Sequence, residues 1–337
     1  MQAAFYERLG AARDVLTVGE WPMPEPGPHE VRVRIHVSGL NPTDVKARTG
    51  FSSALPYPRI IPHQDGAGVI DAIGIHVSPA RIGERVWLYE AQYGRATGTA
   101  AEYVVVPSSH AVRLPDHASF DVGASLGIPA LTAHRCLFAD GSLTGRRVLV
   151  HGGAGVVGTA AILLAKWAGA WVAASVTNAE QATVAKENGA DLVVDRHAAD
   201  AATGILDATG GIGVDRIVDV DLKSNLEVDL ACVSHGGVIS SYAMAHATDE
   251  LSVPLLRAMM HGCVLRFVYI YHVPDDAKQQ AVRDVAACVA AGAYSPRIGM
   301  KVPLERIVDA HEALESGRVI GKVLVHNRFD AADHCRH

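Results

Sequence analysis

The chain has few cysteines, few aromatic residues and no long apolar run. None of its cysteines lies in a Cys-x-x-Cys pair, which excludes a disulfide framework and a four-cysteine zinc lobe; they are Cys136, Cys232, Cys263, Cys288 and Cys335. No apolar stretch reaches the roughly 18 residues that a membrane span needs. The start, residues 1–5, lacks the basic and apolar regions of a signal peptide. We therefore expect a cytoplasmic protein with reduced thiols.

The chain also has no excess of basic residues. Its net charge is −6 at pH 7, so a nucleic-acid partner is not expected, because phosphate binding needs a basic surface. Hydrophobic residues make up 49% of the 337 positions and charged residues 20%, as in globular proteins. This length predicts about two domains, each large enough to bury its own core.

A glycine-rich turn is the most informative stretch of the sequence. An apolar strand, 148–151, runs into Gly153, Gly155 and Gly158, and an apolar helix is predicted from about 156 to 168. The G-x-G-x-x-G spacing between a strand and a helix allows a tight turn, close approach of a pyrophosphate and close helix–strand packing. The free N–H groups at the start of the helix favour phosphate. The stretch predicts a dinucleotide site.

Hydrophobic periodicity divides the rest of the chain. Residues 1–120 predict short strands at 31–37, 66–74, 85–88 and 100–106, which is typical of a small β-barrel. Residues 121–264 predict a doubly wound parallel sheet with strands at 148–151, 171–176, 191–195, 216–220 and 237–241. A further strand after 264, helices at 276–291 and 304–316 and a strand at 321–325 are expected to return to the first domain, over residues 265–330. The polar tail, 328–337, is expected to be loose.

Several motifs resemble the medium-chain dehydrogenase/reductase superfamily, and within it the quinone oxidoreductases related to ζ-crystallin. They are Asn41–Asp44, Arg48–Gly50, Asp65–Ile70, Gly83–Val86, Ala101–Tyr103, Gly127–Ala133, Val148–Gly158, Ser234–Gly237 and Gly321–Val323. The resemblance implies a GroES-like β-barrel catalytic domain (1–120, completed by 265–330) and a Rossmann domain (121–264). It also implies an active site between the two.

Zinc alcohol dehydrogenases of this superfamily carry a cysteine near the first motif and a His-Glu pair before Gly-x-Gly. This chain has Asn41 and Gln64 in the corresponding motifs, and His63 is expected to be a packing or loop residue. Catalytic zinc needs three protein ligands, so we expect no metal. The sequence predicts a zinc-independent reductase of quinones or other α,β-unsaturated carbonyls. An enoyl-thioester reductase, although Phe51 replaces its tyrosine, and a crystallin-like or RNA-binding protein remain alternatives.

The coenzyme is expected to be NADPH. Residues 173–178 contain no carboxylate that would bind a ribose 2′-OH or repel a 2′-phosphate. The resemblance places the phosphate contact on Arg196, with Arg318 and Lys322 as further cations. It implies these coenzyme-binding residues: Lys46, Gly153, Gly155, Val156, Val157, Gly158, Ser175, Thr177, Arg196, Ala243, Met244, Phe267, Val268, Tyr269 and Lys322. The candidate catalytic residues are Asn41, Asp44 and Thr132.

The predicted partners are a small-molecule substrate and a second copy of the chain. In the superfamily, the strands at 238–241 and 264–270 lie at the sheet edge used for subunit pairing. The resemblance therefore implies a homodimer or homotetramer.

Overall fold

A computed structural model of the chain describes residues 1–51 and 54–327. The chain forms two compact units. The first contains Met1–Ile128 together with the chain from Ile298 onward, and the second contains Pro129–Arg297. Cys335 and the predicted loose tail, 328–337, lie outside the described residues.

The first unit is mostly β-structure. Its strands are β1 (Gln2–Phe5), β2 (Thr17–Glu20), β3 (Glu30–Leu40), β4 (Asp65–Ile73), β5 (Arg85–Leu88), β6 (Tyr103–Pro107), β7 (Ala111–Arg113), β14 (Ile298–Pro303) and β15 (Lys322–His326). Its helices are α1 (Ala12–Val15), α2 (Pro42–Thr49), α3 (Phe120–Gly123) and α11 (Ile307–Glu315), and α4 (Gly127–Phe138) runs from the first unit into the second.

The long strand β3 organises the first unit. The alternation at 31–37 predicts a half-buried strand, and Val31, Val33 and Ile35 are indeed fully buried on one face. The strand order is β14-β15-β3-β4-β5-β7. In addition, β6 pairs with the first five residues of β3, Glu30–Arg34. This mostly antiparallel sheet agrees with the GroES-like fold that the sequence predicts. The strand pairs among the described residues do not close into a barrel.

The second unit alternates strands and helices, as predicted. Its strands are β8 (Arg147–His151), β9 (Trp171–Val176), β10 (Leu192–Asp195), β11 (Val214–Asp219), β12 (Val233–Ser241) and β13 (Val264–Phe267). Its helices are α5 (Val156–Trp167), α6 (Ala179–Glu187), α7 (Ala201–Ala208), α8 (Leu222–Cys232), α9 (Leu255–His261) and α10 (Asp275–Ala290).

The sheet of the second unit is parallel throughout, with the order β10-β9-β8-β11-β12-β13. This is the order of the dinucleotide-binding fold, in which ligands bind outside the carboxyl ends of the strands where the strand order reverses. That reversal lies between β8 and β11. The glycine turn leaves β8 at this point, so the confirmed Rossmann fold positions it for a dinucleotide.

The sequence predicts that the chain returns to the first unit at residue 265. In the structure it returns at Ile298. The reason is that Val264–Phe267 adds a sixth strand beside β12, and the helix α10 then contacts α5. At the other boundary, α3 contacts β3, β4 and β5, so residues 121–128 belong to the first unit rather than the second.

None of the helices among the described residues is long and apolar enough to cross a membrane.

Candidate active site

The carboxyl edge of the parallel sheet gathers most of the predicted coenzyme residues. Because all strands of this sheet point the same way, the residues that follow them lie along one edge. The edge carries Gly153–Gly158 after β8, Ser175 and Thr177 at the end of β9, Arg196 after β10, Ala243 and Met244 after β12, and Phe267–Tyr269 at the end of β13. The second unit alone therefore supplies an extended candidate coenzyme surface.

The three motif glycines meet different surroundings. A Cβ added at Gly158 would lie 2.1 Å from the carbonyl oxygen of Gly152, so this position requires close backbone packing. A Cβ at Gly153 would lie 2.8 Å from that of Ala174. At Gly155 the nearest atom would be the Gly152 oxygen at 3.3 Å, and this glycine is exposed. The exposed Gly155 is the N-cap of α5, so it lies beside the free N–H groups that favour an anion.

The end of β9 carries no charge. Ser175 is 2% exposed and its Oγ lies 2.7 Å from Nδ1 of His151. The predicted coenzyme contact of Ser175 stays a prediction, and its hydroxyl bonds His151 beneath the edge. Thr177 is exposed, and its hydroxyl donates to Oε1 of Gln181 at 2.9 Å.

A buried group, which we call the histidine cluster, lies below the glycine turn and consists of Ser175, His151, Asp229 and Asp219. Nε2 of His151 lies 2.8 Å from Oδ1 of Asp229, and ligand-type atoms of His151, Asp219 and Asp229 all lie within 4.8 Å of one another. Oδ1 of Asp219 accepts from the backbone N–H of Asp221 at 2.5 Å and from Asn225 at 3.1 Å. The cluster thus ties β8, β9, β11 and α8 together.

The charge balance of the histidine cluster depends on protons. Burial lowers the pKa of His151, so its imidazole is neutral, and its Nε2 shares a hydrogen bond with Oδ1 of Asp229. Burial raises the pKa of both Asp219 and Asp229 to about 7, and the charge of Asp229 adds to the rise at Asp219. At pH 7 the two neighbouring groups therefore hold about one proton between them, which removes the repulsion that two ionised carboxylates would have.

Arg196 forms an ion pair at the same edge. Its Nη2 donates to Oδ2 of Asp221 at 2.9 Å, and the two side chains are 32% and 30% exposed. Arg196 follows β10, and Asp221 follows β11 by two residues. The predicted phosphate-binding arginine is therefore accessible, but it is held by a carboxylate.

The far end of the edge is apolar. Phe267 and Tyr269 are 70% and 57% exposed, and Met244 is 50% exposed, whereas Val268 between the aromatic residues is buried. Thr132 lies on α4 and is 5% exposed.

A second buried group, which we call the lysine cluster, occupies the first unit and consists of Asn41, Asp44, Asp65 and Lys322. Nζ of Lys322 donates to Oδ1 of Asn41 at 2.7 Å and to Oδ2 of Asp65 at 3.0 Å. Nδ2 of Asn41 donates to the same Asp65 oxygen at 2.7 Å, and the N–H of Ile128 donates to its other oxygen at 2.8 Å. The cluster joins the start of α2, β4, β15 and α4.

The predicted role of Lys322 as a coenzyme cation stays a prediction, and the contacts of this residue do not favour it. The residue is 1% exposed and its ammonium group already bonds Asn41 and Asp65. Releasing it to a phosphate would leave Asp65 buried and unpaired, which is costly. Lys322 holds the first unit together instead.

The candidate catalytic residues Asn41 and Asp44 are also buried. The backbone N–H of Asn41 donates to Oδ2 of Asp44 at 2.7 Å. Burial, followed by the charge of Asp65, raises the pKa of Asp44 to about 8, so this carboxyl group is largely protonated at pH 7. Lys46 follows Asp44 by two residues. Its ammonium group lies 4.4 Å from the ring centre of Phe51, and burial lowers its pKa.

His63 is a buried packing residue, as the sequence predicts. Its Nδ1 lies 2.8 Å from the hydroxyl of Ser38 and its Nε2 lies 3.0 Å from Nε2 of His311. Its φ of 81° is unusual for a residue other than glycine. Both histidines have pKa values lowered chiefly by burial, so the pair is neutral.

Sequence reasoning missed the residues that complete the two clusters. They are Asp65, Asp219, Asp229 and His151, and Asp221, the partner of Arg196, is missed as well. The available signal is a polar residue at the end of a mostly apolar strand directly before the glycine turn, as in His151.

Two family models match the chain. The model described as the alcohol dehydrogenase GroES-like domain matches residues 27–116, and the model described as zinc-binding dehydrogenase matches residues 156–287. The quinone oxidoreductase of Rattus norvegicus is 30% identical over 305 residues, which are 90% of this chain and 91% of the relative. The chain belongs to the quinone oxidoreductase family of the medium-chain dehydrogenase/reductase superfamily.

Solved structures agree with this assignment. A protein described as an NAD-dependent alcohol dehydrogenase superposes with a TM-score of 0.86 and 29% identity, covering 97% of this chain and 99% of its own. A mycobacterial protein complexed with NADPH superposes with a TM-score of 0.83 and 26% identity, covering 97% and 100%. The chain is therefore an oxidoreductase with the fold of this superfamily.

Proposed function

We propose that this protein is an NADPH-dependent, zinc-independent reductase that transfers hydride to quinones or other α,β-unsaturated carbonyl compounds. The observation that carries the proposal is the G-x-G-x-x-G turn at the point where the strand order of the parallel sheet reverses. Membership of the quinone oxidoreductase family supports the acceptor class, and the NADPH complex of the mycobacterial neighbour supports the coenzyme.

The surface after β8 fits the phosphates of a dinucleotide. Gly155 is exposed at the N-cap of the twelve-residue helix α5, and Val156 and Val157 offer backbone N–H groups in its first turn. At the end of β9 no carboxylate stands to repel a 2′-phosphate, and Arg196 is the accessible cation beside it. Arginine presents a planar fork that suits phosphate oxygens.

A conjugated acceptor explains why the reaction needs no Lewis acid. The bound coenzyme supplies the hydride, and a conjugated acceptor delocalises the incoming negative charge itself, so the protein has to bind and orient the two reactants and exclude water. Asn41 and Gln64 stand where zinc enzymes of the superfamily carry metal ligands, and Asn41 is committed to Lys322 and Asp65.

The central test is NADPH oxidation by protein dialysed against a strong chelator. It uses 1,4-quinones, enones and enoyl thioesters as separate acceptors. We expect turnover with quinones or enones that chelation leaves unchanged. Activity that tracks a stoichiometric zinc content would contradict zinc independence, and turnover of enoyl thioesters alone would reassign the acceptor.

Two glycine variants test the coenzyme surface. Gly155→Ala places a Cβ 3.3 Å from the Gly152 oxygen, a close contact that a small shift relieves, so we expect a small loss of stability and coenzyme affinity lowered at least about tenfold. Gly158→Ala is the matched variant, and its Cβ would lie 2.1 Å from a carbonyl oxygen, so we expect lower thermal stability as well. Unchanged NADPH affinity in Gly155→Ala would contradict the assigned surface.

We also propose that the protein forms a homodimer through the β13 edge. This strand ends the parallel sheet, and nearby apolar side chains are exposed: Leu255, Leu256, Met259, Met260 and Phe267. An edge strand beside an exposed apolar patch is typical of a surface that pairs with another copy. Light scattering should give a dimer or tetramer that Met259→Glu weakens. Ile75→Glu, at an apolar position in the first unit that is 83% exposed, should leave the assembly intact. A monomeric wild type at micromolar concentration would contradict it.

A cytoplasmic location completes the proposal. The four cysteines among the described residues are free thiols, three of them buried, as expected in a reducing compartment. Cell fractionation tests this, and recovery of the protein outside the cytoplasmic fraction would contradict it.

A further inference from the structure

The Arg196–Asp221 ion pair spans two strands. Arg196 follows β10 and Asp221 follows β11, while β9 and β8 lie between them in the sheet. Neighbouring strands are about 4.8 Å apart, so the two chain segments are separated by about 14 Å. The 2.9 Å contact between their side chains therefore passes across the carboxyl ends of β8 and β9. The glycine turn begins at the end of β8.

The electrostatic surroundings of His151 agree with this placement. Burial is the main cause of its lowered pKa, and the charges of Asp219, Arg196 and Asp221 also act on this histidine at the end of β8. Arg196 and Asp221 are each about one-third exposed, so a ligand can reach the pair. Asp195, the neighbour of Arg196, is exposed and accepts from the N–H of His197 at 2.9 Å.

The chemistry of the pair sets up a competition. A 2′-phosphate on the adenosine ribose and the Asp221 carboxylate are both anions that bind a guanidinium group. A dinucleotide that lacks this phosphate has nothing to gain from Arg196. We propose that Asp221 is a specificity-determining residue that holds Arg196 across the glycine turn and weakens the preference for the phosphorylated coenzyme. This inference rests on the proposed function.

The exposure of the Arg196–Asp221 pair sets the expected size of the change in ligand affinity. Exposed ion pairs contribute about 0.2–1 kcal/mol, which corresponds to a change in affinity of roughly 1.4- to 5-fold. Asp221→Asn retains a residue that suits the helix N-cap position which Asp221 occupies in α8. The variant is therefore expected to fold and to release Arg196.

The experiment measures binding of 2′,5′-ADP, which carries a 2′-phosphate and a 5′-monophosphate, and of 5′-AMP, which lacks only the 2′-phosphate. Calorimetry on the whole protein needs no reaction. Asp221→Asn should bind 2′,5′-ADP about 1.4- to 5-fold more tightly and 5′-AMP with unchanged affinity. Asp195→Asn removes the same charge beside Arg196 without touching the pair and should have a smaller effect. In the Arg196→Ala background, Asp221→Asn should give no more than this small charge effect.

The outcomes separate the inference from the proposed function. If the wild type prefers 2′,5′-ADP but Asp221→Asn and Asp195→Asn act equally, or if Asp221→Asn weakens binding, the inference is overturned alone. If the Asp221→Asn effect persists in full without Arg196, the competition is likewise overturned. A wild type that binds 2′,5′-ADP no more tightly than 5′-AMP would overturn the NADPH assignment and this inference together.

Discussion

The two units bury polar clusters that balance charge in different ways. The lysine cluster has an ammonium group inside it, because Lys322 bonds both Asn41 and Asp65. The histidine cluster contains a neutral imidazole and two carboxyl groups, and protons on the carboxyl groups take the place of the cation. With pKa values of about 7, the carboxyl groups lose these protons near neutral pH. The stability of the region below the glycine turn therefore depends on pH through its own charge balance.

Removing the fixed cation should have the largest effect. Lys322→Met leaves Asp65 buried without its partner, and breaking a buried pair costs about 3–5 kcal/mol. Chemical denaturation should show this loss in the free energy of unfolding. Lys301→Met is the matched control, because Lys301 pairs with Asp121 while 53% exposed, and it should cost about 1 kcal/mol or less. Equal, small losses in both variants would show that the lysine cluster does not hold the first unit together.

Asp44 should make the stability of the first unit fall as pH rises, even though the lysine cluster contains Lys322. Its pKa is about 8 in the folded protein and near 3.8 in the unfolded chain. The stability from this raised pKa is present in full below about pH 3.8 and is lost as pH rises through 8. Between pH 6 and 9 the loss is about 2–3 kcal/mol. Asp44→Asn should remove that part of the pH dependence. Identical slopes of stability against pH in the two proteins would contradict it.

The histidine cluster should lose less stability than Asp44 causes the first unit to lose, and the loss should occur at a lower pH. The pKa values of Asp219 and Asp229 are raised to about 7, so this stability disappears as pH rises through neutrality, by about 1–1.5 kcal/mol per lost proton between pH 6 and 9. Asp229→Asn puts a permanent donor beside Asp219 and should flatten the dependence. Hydrogen exchange of the amides in Val148–Val150 localises the effect. Exchange that accelerates equally with pH in both proteins, after correction for the intrinsic rate, would contradict the shared proton.

Local patterns predicted most of the fold. The alternation at 31–37 and the apolar strands before Gly153 are short-range signals, and the strands formed where they indicate. The sequence predicts the wrong unit for the apolar run after 264. Its composition indicates a strand, but it does not indicate which sheet edge the strand joins. Its pairing with β12 is a tertiary choice.

The candidate site was predictable only where spacing carries the chemistry. The glycine turn could be found because its three glycines lie within six residues. The buried partners could not, since His151 and Asp229 are 78 residues apart and Asp65 and Lys322 are 257 residues apart. Lys322 appeared to be an available cation in the sequence, and only the fold shows that it is committed to Asp65.

Coenzyme titration of wild type and Arg196→Ala tests the central claim most directly. A hydrogen bond to a charged group contributes about 1.5–3 kcal/mol, so the variant should lose roughly 10- to 150-fold in NADPH affinity, more at low salt than at high salt. NADH lacks the 2′-phosphate, and its affinity should change less than about twofold. Equal losses for both coenzymes would show that Arg196 is structural and would contradict the assignment of NADPH to this edge of the sheet.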